Sequence, residues 1–357
     1  MTATRWSAAV PLAALAAALL AGACAPDPPR GTLRASFLVF GDAGARPDDP
    51  RDHPQLLRVA RALCAEDRER PADALVVLGD NFYPRGLVAE ELVLRVRETF
   101  ARPWCRFVAP GGPRAAELAG ACDLPPRERH PIPIYAVLGN HDVVSPESPG
   151  LQREALPLFV PNWELAARPT ELREIAPGVS LVLLDSEHFF EGGDTAPIGA
   201  ALRGAPGPWR IVGLHRPLLG FEASGKEDPA QVAEYKRRMQ AALAGAGVPV
   251  HAVLAAHSHT LQLILLPPPA PPLHVIAGSS SDTGELHPEP NRAVGVAAPG
   301  FARLEVVGGN GADADPRRER LVLTLYRLLP APLDRFSDQR IAVARYGVDL
   351  AGNAMPE

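Results

Sequence analysis

The chain has little cysteine. Its four, Cys24, Cys64, Cys105 and Cys122, are too few in 357 residues for a disulfide framework. Cys105 and Cys122 flank a Pro/Gly-rich loop and are candidates to pair in an oxidising compartment, whereas Cys64 lies in a helical pattern and reads as a buried thiol. Lysine is scarce beside arginine, and there is no positive balance. The formal charge of −5 argues against a nucleic-acid-binding surface, so no nucleic acid is expected as a partner. Internal repeats, an arginine cluster and a nucleotide-binding loop are all missing. The apolar run Val10 to Leu20 is too short for a comfortable membrane span of roughly 20 residues.

That run has the form of an export signal. Residues 1–23 combine a basic start at Arg5, the apolar stretch and the small residues Ala21-Gly22-Ala23. Leu20-Ala21-Gly22-Ala23-Cys24 resembles a bacterial lipobox, which makes Cys24 a candidate lipidation site. Ala21 occupies the usual leucine position, so ordinary cleavage and a retained anchor stay open. All three place the rest of the chain outside the cytoplasm, in the periplasm or as a membrane-anchored lipoprotein. The membrane is a partner only through a lipid on Cys24. Residues 24–34 read as a linker, 35–330 as the domain and 331–357 as a C-terminal tail with weak signals.

Hydrophobic residues make up 46% of the chain, enough for a full core, and the 40 prolines indicate long, stiff loops. Apolar runs predict strands at Ala35 to Phe40, Ala74 to Leu78, Ile132 to Leu138, Val179 to Leu184, Trp209 to Gly213, Pro249 to Ala255 and Leu273 to Ala277. Phe301 to Val307 and Arg320 to Leu328 read as an antiparallel closing pair. Helical spacing predicts helices over His53 to Arg68, Val88 to Phe100 and Asp228 to Gly245. Residues 101–131 lack periodicity and read as an inserted loop able to line the rim of a cleft. The β-α-β-α alternation predicts a sheet covered by helices.

Five of these strands end in residues that bind metals: Asp42, Asp80, Asn140, His215 and the pair His257/His259. Ligands bind outside the carboxyl ends of strands in such sheets. Singly, each is weak, because Gly-Asp after a strand is usually a turn, Asn140-His141-Asp142 has the form of an Asx turn, and a lone histidine is often a surface or capping residue. Coincidence at five strand ends is a poor account. Carboxylate, amide and imidazole ligands suit borderline and hard cations, and no thiolate joins the set. His257 and His259, two apart in extended chain, put their rings on one side. Asp80 is placed to bridge two cations about 3.5–4 Å apart.

The order Gly-Asp-x-Gly, Gly-Asp-Asn-Phe-Tyr, Gly-Asn-His-Asp, His-x-Pro, His-x-His resembles the calcineurin-like metallophosphoesterase superfamily. Tyr83 and His257-Ser258-His259-Thr260-Leu261-Gln262 make it similar to the purple acid phosphatases, especially the tartrate-resistant type. The resemblance implies an α/β fold, a four-layer α-β-β-α sandwich of two mixed sheets. It implies two metal ions: Fe(III) at Asp42, Asp80, Tyr83 and His259, and a divalent ion (Fe, Zn or Mn) at Asp80, Asn140, His215 and His257. His141 and Asp80 take the catalytic roles, His141 beside the phosphate oxygens. The implied activity is hydrolysis of phosphomonoesters by a metal-bound hydroxide, on a phosphorylated small molecule or protein. A phosphodiesterase or nucleotidase using the same ions is the alternative, and an inactive exported binding lipoprotein is a third.

Two departures stand out. The family carries a further histidine near the leaving group, and the corresponding place, around Ser224, has none; Glu222 is the substitute acid to consider, with His188 as a rival better read as a loop residue. Residue 256 is alanine where the family has glycine.

Overall fold

Short apolar runs with β-branched residues, each closed by a turn, give this chain its strands. The computed structural model describes residues 28–44, 52–109, 111–121, 127, 130–221, 227–308, 319–329 and 339–357. The expected export segment, Cys24, Cys122, Glu222 and Ser224 lie outside them.

One sheet has eight strands in the order β15-β14-β13-β12-β1-β2-β3-β4. Its members are β1 (Thr32–Phe40), β2 (Ala74–Val77), β3 (Ile134–Ala136), β4 (Trp163–Leu165), β12 (Gly300–Gly308), β13 (Arg320–Leu328), β14 (Arg340–Asp349) and β15 (Ala354–Pro356). The other has seven, ordered β11-β9-β10-β8-β7-β6-β5. They are β5 (Thr170–Ala176), β6 (Val179–Leu184), β7 (Trp209–Gly213), β8 (Ala252–Ala255), β9 (Leu261–Leu265), β10 (Leu273–Ala277) and β11 (Arg292–Val296). Strands β1 to β4 pair in parallel, as do β6, β7, β8 and β10; the flanking strands are antiparallel, so both sheets are mixed.

Alternation along the strands sets up three apolar layers. On β1, Phe37 and Val39 face the second sheet, packing with Leu181, Ile211 and Leu254, while Leu38 and Phe40 face the helix α1 (Asp52–Glu69) through Leu56, Val59 and Leu63. Beyond the second sheet, Val182 and Val212 meet α2 (Ala196–Gly204) and α3 (Pro229–Gly245) through Ile198, Leu202, Tyr235 and Met239. The result is the α-β-β-α sandwich. No helix among the described residues is long and apolar enough to cross a membrane.

Three expectations need correction. Of the segment 101–131, expected as a loop at the rim, the described stretches 101–109 and 111–121 instead make short helical turns at Arg102–Trp104, Cys105–Phe107 and Ala115–Leu118. Trp104, Phe107 and Leu118 are buried with α1, Trp104 stacking on Phe40 at 4.2 Å between ring centroids. Trp104 and Phe107 lie three apart, but proline and glycine at 103 and 111–113 stop that spacing from repeating. Cys105 is disulfide-bonded, and Cys64 is a buried free thiol whose burial pushes its pKa up to about 12. The stretch after residue 331 is more than a tail, because β14 pairs along the length of β13 and β15 extends the edge. β1 likewise begins inside the expected linker, at Thr32.

The central parallel strands of both sheets deliver their carboxyl ends to one shared edge. There the chain turns through Gly41-Asp42, Gly79-Asp80, Gly139-Asn140, His215 and His257.

Candidate metal centre

The turns at this edge are unusually sharp. Asp42, Asp80, His257 and His259 all have positive φ, between 51° and 67°. For residues with a Cβ this left-handed conformation costs roughly 1–2 kcal/mol each, and such strain gathers at functional sites. Neighbouring glycines leave room for the carboxylates. A Cβ at Gly139 would lie 2.2 Å from Asp80 Oδ1, and one at Gly278 would lie 2.3 Å from Asp42 Oδ2. Ala256 is accommodated because its methyl faces Gly41, where a side chain would approach it to 2.5 Å.

The structure brings all seven predicted ligand residues together, in two groups. In the first, the Tyr83 hydroxyl lies 3.0 Å from Asp42 Oδ1 and 3.0 Å from His259 Nε2, and His259 Nε2 is 3.4 Å from Asp42 Oδ1. In the second, ligand-type atoms surround His215 Nε2: Asn140 Oδ1 at 3.0 Å, His257 Nδ1 at 3.1 Å and Asp80 Oδ1 at 3.5 Å. Asp80 belongs to both, since Asp42, Asp80 and His259 each offer an atom within 4.8 Å of the others. The backbone N–H of His257 donates to Asp42 Oδ2 at 2.7 Å and that of His141 to Asp80 Oδ1 at 2.9 Å.

Tautomers follow from the remaining hydrogen bonds. His215 Nδ1 donates to the Leu78 carbonyl at 2.8 Å, which leaves Nε2 as the lone pair facing the second group. His141 Nδ1 donates to the Pro84 carbonyl at 2.7 Å, so Nε2 is its free base or acid.

Electrostatics separates the groups. Burial pulls His215 and His257 down to about 4, so both are neutral near pH 7. Burial also works against a charged His259, but Asp42 and Asp282 outweigh it and raise its pKa to about 10. Burial disfavours the Asp42 carboxylate as well, yet His259 and the other histidines hold its pKa below the usual value. Burial and the Asp42 charge raise Asp80, and burial with both carboxylates drives the Tyr83 phenol well above its ordinary value. Two buried carboxylates thus face each other with imidazoles and a phenol as company. Such a donor set fits hard and borderline cations, and a bound ion would invert these shifts.

Several residues here escape the motif pattern. Asp142 is fully buried and accepts the backbone N–H groups of Gly139, Asn81 and Phe82 at 2.9–3.1 Å, locking the Asp80 turn to the Asn140 turn; its place in Gly-Asn-His-Asp was the available signal. Glu187 and Glu227 both pair with Arg216, and no local pattern announces either. Asp185 caps a short helix, Ser186–Phe190, and His188 lies exposed on that helix against Phe189.

The comparisons agree with this geometry. The sequence model of the calcineurin-like phosphoesterase family matches residues 35–261. No curated protein matches the sequence. Similar folds include GAP50, the anchor in the inner membrane complex of Plasmodium, at 14% identity and TM-score 0.56, covering 83% of this chain and 85% of that one. The purple acid phosphatase PPD1 of yellow lupin seeds shows 16% identity and TM-score 0.53, over 84% of this chain and 52% of that one. PhoD shows 10% identity and TM-score 0.57, over 93% and 73%. The structural likenesses speak for the fold, and the family match together with the carboxylate-imidazole edge identifies the chain: it belongs to the calcineurin-like phosphoesterase family and is a metal-dependent phosphoester hydrolase.

Proposed function

We propose that the protein is a purple-acid-phosphatase-like phosphomonoesterase. The supporting observation is the paired donor set that shares Asp80: a phenol, carboxylate and imidazole on one side, an amide and two neutral imidazoles on the other. Tyr83, Asp42 and His259 would hold Fe(III), whose charge favours hard anionic ligands. Asn140, His215 and His257 would hold a divalent ion, and Asp80 would bridge. When bound, the pair would neutralise phosphate charge and make a water acidic enough to attack at neutral pH.

The chain's own residues do the rest. Asp80 is held by the His141 N–H in the orientation that serves both groups. Asp142 fixes the two turns relative to each other. His141, anchored through Nδ1, keeps Nε2 for a phosphate oxygen or the leaving group. Export and a lipid on Cys24 belong to the same proposal: a phosphatase working outside the cytoplasm.

GAP50, an anchor of similar fold, favours a second reading in which this fold serves binding alone. The test is hydrolysis of 4-nitrophenyl phosphate and bis(4-nitrophenyl) phosphate by metal-loaded protein, with Asp80→Asn as control. Monoester turnover lost in the variant is the expected result. A preference for the diester moves the function to phosphodiesterase. Two bound ions with neither activity point to a narrow substrate, whereas no activity with no metal uptake refutes the phosphatase and favours the binding module, which need not hold two ions.

A further inference from the structure

The two ring nitrogens of His257 have different surroundings. Nδ1 lies 3.1 Å from His215 Nε2, within the second ligand group. Nε2 looks the other way, 3.6 Å from Glu227 Oε1 and 3.5 Å from Arg216 Nη1, and Phe221 meets the ring edge-on at 4.7 Å between centroids. Glu227 is itself ion-paired with Arg216. Arg216 is buried and framed from several elements. Its Nε donates to both oxygens of Glu187 at 2.9 and 3.0 Å, its guanidinium stacks over Phe190 at 4.0 Å, and its carbonyl accepts the Tyr235 hydroxyl at 2.9 Å.

A neutral imidazole has one N–H and one lone pair. If Nδ1 is to be a ligand, the proton sits on Nε2 and needs an acceptor. Arg216 carries donors only and cannot serve. Glu227 can. Metal-binding histidines commonly give their second nitrogen to a carboxylate, which fixes tautomer and ring angle. Arg216 then has a different task. It keeps the Glu227 carboxylate at the ring, and Glu187 fixes the guanidinium that does so.

We infer that Glu227 is the positioning residue for His257, accepting its Nε2 proton so that Nδ1 is presented to the second ion, with Arg216 and Glu187 as the frame. This rests on the two-ion proposal above. Its two acids are 40 residues apart in sequence, which is why no motif shows them.

The test uses the full chain stripped with a chelator and titrated with Zn2+ by calorimetry. His257→Ala identifies the step that belongs to the second group. Glu227→Gln is expected to weaken that step about 10–100-fold while leaving the other unchanged, and Glu227→Asp to recover part of the loss. Glu187→Gln, further from the ring, should weaken the same step by less. Melting of the metal-free variants checks that each is folded. A Glu227→Gln protein whose second step stays within about twofold of the parent overturns the inference. So does one that weakens both steps equally. A parent with a single step sinks the two-ion proposal, and this role falls with it.

Discussion

Two of the places where the molecule buries charge treat it in opposite ways. At the C-terminal end of α1, Glu66, Glu69 and Glu305 meet Arg70, Arg303 and Arg340. Arg303 and Glu66 are fully buried there, 3.2 Å apart, and the acids and guanidiniums match three to three. At the strand edge, Asp42 and Asp80 are equally buried but sit beside imidazoles, with Asp80 raised above its usual pKa by burial and by Asp42. The first cluster is balanced by the chain itself and ties β12 and β14 to α1. The second is left for a cation from outside. A buried carboxylate without a built-in guanidinium is therefore the better sign of function.

Like-for-like amide substitutions should split the two clusters. Asp80→Asn should lower kcat/KM on 4-nitrophenyl phosphate by about 10³-fold or more, since several kcal/mol of charge stabilisation are lost at about 1.36 kcal/mol per factor of ten. The same change should raise the melting temperature of the metal-free protein, because it removes a carboxylate that is costly to ionise there. A fall in metal-free stability would break the comparison. Glu66→Gln should do the reverse, costing about 3–5 kcal/mol of stability in urea titration while metal uptake persists.

The two halves of the centre can be sharpened in turn. On the proposed Fe(III) assignment, Tyr83→Phe should weaken iron binding at the first group by tenfold or more and remove the phenolate-to-iron absorption expected of the parent, leaving the second group's Zn2+ affinity in place. The smallest effect is a proton count. At pH 7 ion uptake at the first group should release about two protons, one from His259, which titrates near 10 in the metal-free protein, and one from the Tyr83 phenol, held well above its ordinary value; His215 and His257, near 4, should release none. Calorimetry in buffers of differing ionisation enthalpy reads this. The same values set the acid limit of the metal-free fold. His215 and His257 resist protonation until about pH 4, whereas the unfolded chain protonates near 6.5, so stability should fall as pH drops through that window. His259 acts with the opposite sign, its contribution present below about 6.5 and lost as pH rises through about 10.

What the sequence made legible follows one rule. Buried parallel strands are continuous apolar runs, and five of them lead straight into a turn that holds a ligand, with a glycine directly before it at Asp42, Asp80 and Asn140. So β1, β2, β3, β7 and β8 and the seven ligand positions are all local features. The antiparallel strands β5, β11 and β14 carry mixed polar and apolar residues at half-buried positions, and their partners, not their own composition, make them strands. Glu187, Glu227 and Asp282 were invisible for the same reason: each reaches the site from a segment whose own pattern carries no signal. Trp104 and Phe107 show the converse, core anchors in a stretch with no period.

The edge position of the centre has a mechanical side. Asp42, Asp80, Tyr83 and Asn140 follow strands of the eight-stranded sheet, while His215, His257 and His259 follow strands of the seven-stranded one. The leaves are joined there by contacts such as His215 to the Leu78 carbonyl and His257 N–H to Asp42. Ions held by the seven ligand residues would add coordination bonds across the same seam. Such metals would be a clasp as well as a reagent, and prising the two leaves apart would have to tear them out.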